Sequence, residues 1–292
     1  MDRWFQLLVS GITMGSIYSL IALGYVTIYR TSRIVNMAQG SFVMLGGFIC
    51  FSLLSEVGLP FWAAGLLGII SVAVIAIGMY RFVLAPIVKV SLVAMILCTV
   101  GLSILFENLA LLRWGGFGKM LPGFTGEKSL FLGGVSVAPQ SLWIVGIMIV
   151  VFVALYWLNS HTKIGRRMTA TATNPSAASL CGVSTGRIVV VAFVISATIG
   201  ALGGISIASV VPVSFTSGGV FGLNGFVAAI LGGWGSSGGA VLGGLSLGLI
   251  QSLATGVVPA GYQDAIAFAL FILVLYFRPQ GILGAPVVDA QS

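Results

Sequence analysis

An all-α, polytopic transmembrane helical bundle is the fold class this sequence predicts, and three observations predict it. The chain is 58% hydrophobic and only 7% charged, where a soluble domain carries about a quarter of its residues charged. Its apolar runs are long: Trp4–Tyr29, Ile34–Ser55, Val57–Tyr80 and Ile188–Gln263 contain no charge at all, and a spanning helix needs roughly 20 such residues. These runs show no period-two alternation, which excludes the short alternating strands of a membrane barrel.

The spans fall at 4–29, 36–55, 59–80, 92–113, 141–158, 188–210, 223–233, 239–257 and 262–277, about eight to nine membrane segments. The first is read as a retained span. Its apolar run is too long for a cleavable signal, and Tyr29 and Arg30 follow it where small residues would be needed. The seventh is too short to cross alone, so it reads as a half-helix or re-entrant piece. Glycine numbers 41 and concentrates in "LGGWGSSGGAVLGGLSLG", Leu231–Gly248. Such a run serves close helix packing, or a broken helix lining a path, since irregular backbone in a membrane must be buried in protein or face a cavity. "GSFVMLGG" at Gly40–Gly47 echoes "GFVAAILGG" at Gly225–Gly233, each after an asparagine, Asn36 or Asn224. Interrupted segments in two halves point to a transporter's central site. Asn36, Gln39, Gly40, Asn224, Gly225, Gly232 and Gly233 are therefore the candidates for a translocation path.

One polar, basic island interrupts the apolar chain, "GRRMTATATNPSAASLCGVSTGR", Gly165–Arg187. Ile164–Thr173 suits a short helix. Asn174-Pro175 breaks it, because a residue before proline avoids the α region. The same pair starts a second short helix, with Asn174 as N-cap and Pro175 at its first position. Gly182 is the expected C-cap. Two short helices with a defined elbow suit a groove in a cytoplasmic protein, with Met168 and Leu180 as apolar anchors. The alternative is a helix lying on anionic lipid through Arg166 and Arg167, but the aromatic face expected of one is missing.

Lys and Arg orient the chain. With the island cytoplasmic, one set of loop ends holds Arg30, Arg33, Arg81, Lys89, Lys163, Arg166, Arg167, Arg187 and Arg278. The other holds Arg3, Arg113, Lys119 and Lys128. The excess places the N-terminus outside and the island and C-terminus inside. This also accounts for the net charge of +7 without nucleic acid. With one histidine and three cysteines in unrelated settings, neither a metal centre nor a disulfide framework is indicated.

Chemistry is conspicuous by what is missing. The phosphate-cradling pattern G-x-x-x-x-G-K-[ST] does not occur, and "GEKS" at Gly126–Ser129 only imitates it. A lone histidine beside a polar loop supports no nucleophile–histidine–carboxylate set. Two carboxylates, Glu107 and Asp264, lie near membrane depth, where a charge costs about 2.5–3.5 kcal/mol. Glu107 either faces the bundle interior or pairs with Arg113 near the outer interface. Asp264 either serves function or complements the dipole of the last helix.

The chain resembles the permease subunits of branched-chain amino acid ABC importers, of the LivH type. "SGITMGSIYSLIALGYVTIYRTSRIVNMAQGSFVMLGG" is similar to the family's opening segment, although Gln39 stands where the family often has histidine. "RFVLAPIV" resembles its first cytoplasmic loop and "TKIGRRMTATATNPSAASLCGVSTGRI" its coupling loop. "GGVFGLNGFVAAILGGWGSSGGAVLGGLSLGLIQSL" and "YQDAIAFALFILVLYFRPQGILG" resemble its closing segments. The resemblance implies an ABC importer permease fold, with residues 1–292 forming one transmembrane domain in the bacterial inner membrane. It implies a homologous second permease or a second copy, two ATPase subunits that bind ATP and Mg, and a periplasmic substrate-binding protein. It also implies an ATPase-coupling role for the loop at about 161–187, with Gly165, Arg166, Arg167, Asn174, Pro175, Ala178, Leu180 and Gly182 at the motif's positions. The cargo would be branched-chain amino acids or a related amino acid, amide, urea or small acid. A stand-alone secondary transporter or channel is the alternative reading. A membrane-embedded enzyme is disfavoured by the missing catalytic set.

Overall fold

A computed structural model describes residues 2–87, 91–126, 130–132, 135–278 and 280–283. The helices run α1 (Asp2–Ser32), α2 (Gln39–Ser55), α3 (Phe61–Gly78), α4 (Ala85–Ile87), α5 (Leu92–Trp114), α6 (Pro139–His161), α7 (Lys163–Thr173), α8 (Pro175–Leu180), α9 (Thr185–Ala208), α10 (Ser217–Gly232), α11 (Ser237–Ala254) and α12 (Gln263–Phe277). Six segments are long and apolar enough to cross a membrane, namely Arg3–Ser32, Phe61–Ile87, Val93–Trp114, Pro139–His161, Thr185–Ala208 and Ser237–Ala254. A polytopic helical bundle is the result. An antiparallel hairpin, β1 (Leu130–Leu132) and β2 (Val135–Val137), is added in the loop before α6, with Leu130 opposite Val137.

The centre is built on α1 and α9. Ile17, Leu20, Ile21, Leu23 and Ile28 of α1 and Phe193 and Ile207 of α9 are fully enclosed. Hydroxyls on α1 are satisfied locally: Thr13, Ser16, Ser19, Thr27 and Thr31 each donate to the carbonyl one turn back, which lets polar residues sit in an apolar core. α11 lies antiparallel against α1 at very short range. A Cβ on Gly248 would come within 2.3 Å of the Gly15 backbone, the small-residue contact that lets membrane helices approach. On the outside, α3, α5, α6 and α12 expose Leu66, Val74, Leu97, Leu112, Val150, Val153, Ile272 and Leu273. In lipid such a surface costs nothing, because the hydrocarbon is as apolar as the side chains.

The third span is longer than the expected 59–80. Beyond Gly78 the chain widens into a π-helical stretch, Met79–Leu84, and continues through α4 to Ile87. Pro86 has no N–H to give, and its ring crowds the carbonyl four residues back. A π turn just before it absorbs that conflict inside the helix. "RFVLAPIV" is therefore mostly helix; its last residue, Val88, and Lys89 beyond it lie outside the described residues.

Two helices begin deep in the bundle. After α1 the chain reverses at Arg33, whose φ is +58°, with its guanidinium 5.5 Å above the Tyr29 ring. It then climbs back beside α1 until Gln39 lies against Gly24. Gly24 is eight residues before the end of α1, about 12 Å up the helix. The segment after α9 does the converse, descending from the far end to start α10 at Ser217. The first residues of α2 and α10 thus meet inside the molecule. A Cβ on Gly40 would lie 1.9 Å from the Gly218 carbonyl oxygen and 2.6 Å from the Gly222 Cα. The two echoing segments lie in these short helices, but the contact does not follow the echo, since Gly40 meets Gly218 and Gly222 rather than Gly225.

Candidate functional site

Helix N-termini leave N–H groups without intrahelical partners, and two such ends meet at this junction. α5 supplies what they need from one face. Thr99, Ser103 and Glu107 are spaced four apart, which puts them in line along a helix. Thr99 Oγ1 accepts from the Met37 N–H at 3.1 Å, just ahead of α2. The Ser103 and Ser41 hydroxyls are 3.0 Å apart. The Glu107 carboxylate lies beside Gly218 and Gly219 in the first turn of α10, its Oε1 3.1 Å from where a Cβ on Gly219 would stand. Asn36 Oδ1 accepts from Ala38 N–H at 3.2 Å, while its Nδ2 is the one buried side-chain N or O atom among the described residues with no hydrogen-bond partner.

The predicted path residues occupy distinct positions around this junction. Gln39 is wholly enclosed and spends both ends of its amide on Ser196 of α9: Nε2 donates to the carbonyl at 3.1 Å and Oε1 accepts from the hydroxyl at 2.6 Å. Asn224 lies on α10, where Nδ2 donates to the Val220 carbonyl and Oδ1 accepts from Gln251 Nε2 at 3.0 Å. It borders a cavity of about 270 Å³ between α5, α10 and α12, which Glu107, Thr216, Gly219, Ala267 and Phe268 also line. Gly225 packs on Ile21 of α1, and Gly232 abuts Gly239 of α11. Gly233, with φ +109°, turns the chain between α10 and α11. Gly225 and Gly232 thus lie in tight helix contacts, whereas Asn224, itself buried and hydrogen-bonded, borders the cavity. Arg113 pairs with Glu56 at one end of the bundle, not with Glu107. The side chain of Asp264, the second residue of α12, lies outside the described residues. Thr99, Ser103, Ser196 and Gln251 were missed by sequence reasoning. The four-residue period of Thr99, Ser103 and Glu107 in an otherwise apolar segment was the available signal for the first two.

The island folds as two short helices at the opposite end from the Arg113–Glu56 pair. Thr162 caps α7, its hydroxyl accepting from Gly165 N–H at 3.1 Å. Asn174 caps α8 through Oδ1 to Ala177 N–H at 3.0 Å, with Pro175 in the first turn. Gly182 closes the unit at φ +79°. Arg166, Arg167, Asn174 and Pro175 are exposed, and Leu180 is 90% exposed. Gly165 and Ala178 turn inward, Gly165 pressing on the backbone of Leu158 and Asn159. Met168 is not an exposed anchor. It is buried against Ile188 and Ala192 of α9, because the apolar face of α7 is used to seat the helix on its own chain. Next to the island, a polar cavity of about 610 Å³ is bordered by Arg30, Arg33, Asn159, Thr173, Ser237 and Leu283. Arg30 donates there to the Ser237 hydroxyl at 3.3 Å.

Comparison with known proteins agrees over nearly the whole length. Residues 7–275 match the family described as branched-chain amino acid transport system / permease component. The chain is 31% identical over 301 aligned residues to the high-affinity branched-chain amino acid transport system permease protein LivH of Escherichia coli, covering 98% of this chain and 97% of that protein. It is 32% identical to the corresponding permease protein BraD of Pseudomonas aeruginosa, with 98% of each covered. A probable LivH of Methanocaldococcus jannaschii is 25% identical over 96% of this chain. A membrane bundle with two short helices meeting inside it, matched over nearly its whole length by these relatives, belongs to the branched-chain amino acid transport system permease family and is a transport component.

Proposed function

We propose that this chain is the membrane-spanning permease subunit of an ATP-driven importer, moving a small polar solute across the bacterial inner membrane by alternating access. Its relatives are named for branched-chain amino acids, and that class or a related amino acid, amide, urea or small acid is the cargo. The N-terminus is outside; α7, α8 and the C-terminus are cytoplasmic. A second permease, homologue or second copy, completes the path, and a periplasmic binding protein delivers the cargo. ATP and Mg belong to two partner ATPases, because the sequence carries no phosphate-cradling loop.

The observation that carries this reading is the α7–α8 unit. Two capped helices turn a basic, hydroxyl-rich face and a bare leucine away from the bundle, as a surface gripped by a soluble engine requires. A mechanical connection supports it. Met168 ties α7 to α9, Ser196 of α9 holds Gln39, and Gln39 opens α2 at the half-helix junction. Pressure on α7 would reach the junction through packed, hydrogen-bonded contacts of the kind that carry coupling. In this scheme Asn36, Gln39 and Gly40 hold the junction, Asn224 and Gly225 belong to the moving wall of the path, and Gly232 and Gly233 form its inner turn.

Reconstitution with the partner subunits tests the proposal. Uptake should require ATP and survive collapse of ion gradients; uptake driven by an ion gradient without ATPase partners would select a secondary transporter instead. Asn224→Leu should cut uptake while assembly and binding-protein-stimulated ATP hydrolysis persist, and unchanged uptake at normal expression would remove Asn224 from the path.

A further inference from the structure

Glu107 is a carboxylate part-way down an apolar helix, and among the described residues no cation pairs with it. Among the described residues the one ion pair is Arg113–Glu56. Lys119, on the same side, sits 5.5 Å over the Phe51 ring. Arg3 donates to the Gly256 carbonyl, and Arg30 and Arg33 lie at the opposite end of α1, by the cavity next to α7. The positive end of α10 favours an anion here, but it supplies only part of what a half-buried carboxylate at membrane depth loses in leaving water. The carboxylate also faces a cavity of about 270 Å³, roughly the lower bound of ordinary ligand pockets. The remaining lining is mixed in a particular way. Thr216 and Asn224 are polar, while Val227, Ala267 and Phe268 form an apolar wall.

We propose that this cavity is a cargo-binding station within the membrane, in which Glu107 takes the ammonium group of a solute whose aliphatic part lies against Val227 and Phe268. It rests on the import reading above and narrows it. Of the solutes open to such a permease, those with an ammonium and a small apolar side chain fit, and urea, amides and small acids lack the cation. A charge-assisted contact to a carboxylate is worth more than a neutral one, so the station favours a cargo with a cationic head over a neutral solute of the same size. The cavity is bounded by α5, α10 and α12, and α10 starts at the half-helix junction. Movement of the junction therefore changes the distance between Glu107 and Asn224, releasing the cargo toward the other side.

The competing role for Glu107 is a cap on α10. Glu107→Gln separates the two, since an amide oxygen can still accept from the free N–H groups that open α10 while the charge is gone. The complete transporter, with its ATPases and binding protein, is reconstituted in vesicles, and uptake of radiolabelled leucine, alanine, urea and acetate is measured. Wild type should take up leucine or alanine with ATP. Glu107→Gln should lose that uptake at least about tenfold, the scale of a hydrogen bond to a charged group, with the melting temperature and the assembly with the partner subunits unchanged. Glu107→Asp should recover part of it. Full uptake of leucine or alanine by Glu107→Gln would overturn the station and leave the importer standing, as would a wild type that carries only urea or acetate. Uptake that ignores ATP altogether would overturn the importer reading, and the station with it.

Discussion

A methyl group added at residue 40 has nowhere to go. It would lie 1.9 Å from the carbonyl oxygen of Gly218 and 2.6 Å from the Gly222 Cα, and both neighbours are backbone, which cannot swing aside. Gly40→Ala should therefore push α2 and α10 apart at a cost of at least about 1–3 kcal/mol, seen as a lower melting temperature of the purified chain in detergent. Gly146→Ala, where an added Cβ meets nothing within 4 Å, should leave melting unchanged or slightly raised. Equal melting for the two variants would contradict the junction. Single residues were unevenly legible. Asn174 could be read as a cap because asparagine before proline has few other uses, and its Oδ1 does accept from Ala177 N–H. Met168 could not be assigned, because a residue on the apolar face of a short helix looks the same whether that face meets its own chain or a partner. Thr99 and Ser103 were overlooked because hydroxyls in membrane helices commonly bond to their own helix, as Thr99 does to the Ile96 carbonyl while also accepting from Met37.

Among the elements, α7 and α8 divide their labour by face. Met168 faces α9 and Leu180 faces solvent, so the same polar substitution should act through different channels. Leu180→Ser should leave melting within error and weaken capture of the ATPase subunits in pull-down. Met168→Ser should destabilise the chain by about 2–5 kcal/mol, as core truncations do, and lower the amount recovered from membranes. The reverse ranking would put the docking face on the wrong side of α7. Helix existence was legible almost throughout, since a charge-free run of spanning length admits few alternatives in lipid. The depth at which α2 and α10 begin was not. Hydropathy reports that a segment is apolar, while its starting level is decided by contacts such as Gly24 with Gln39 and Gly40 with Gly218, between residues far apart in sequence. The helix through Pro86 escaped notice for a local reason: proline normally ends a helix, and a π turn that accommodates it leaves no compositional trace.

At the scale of the whole molecule, charge and packing agree on two distinct ends. Arg30, Arg33, the α6–α7 turn and the α10–α11 turn gather round one cavity. The Arg113–Glu56 pair and the Lys119–Val213 bridge lie at the other end. The excess of Lys and Arg on the first end is the pattern of a cytoplasmic face, the face on which the proposed soluble partner would meet the island. The central claim is that this island is cytoplasmic and gripped by an ATPase. Cys181, exposed at the end of α8 and free, reports on it directly. A membrane-impermeant thiol reagent is applied to inside-out and right-side-out vesicles, with and without co-expressed ATPase subunits, and Cys181→Ser serves as the control. The account predicts labelling from the cytoplasmic face alone, suppressed when the ATPase subunits are bound. Labelling from the outer face, or cytoplasmic labelling indifferent to the ATPase, would contradict it.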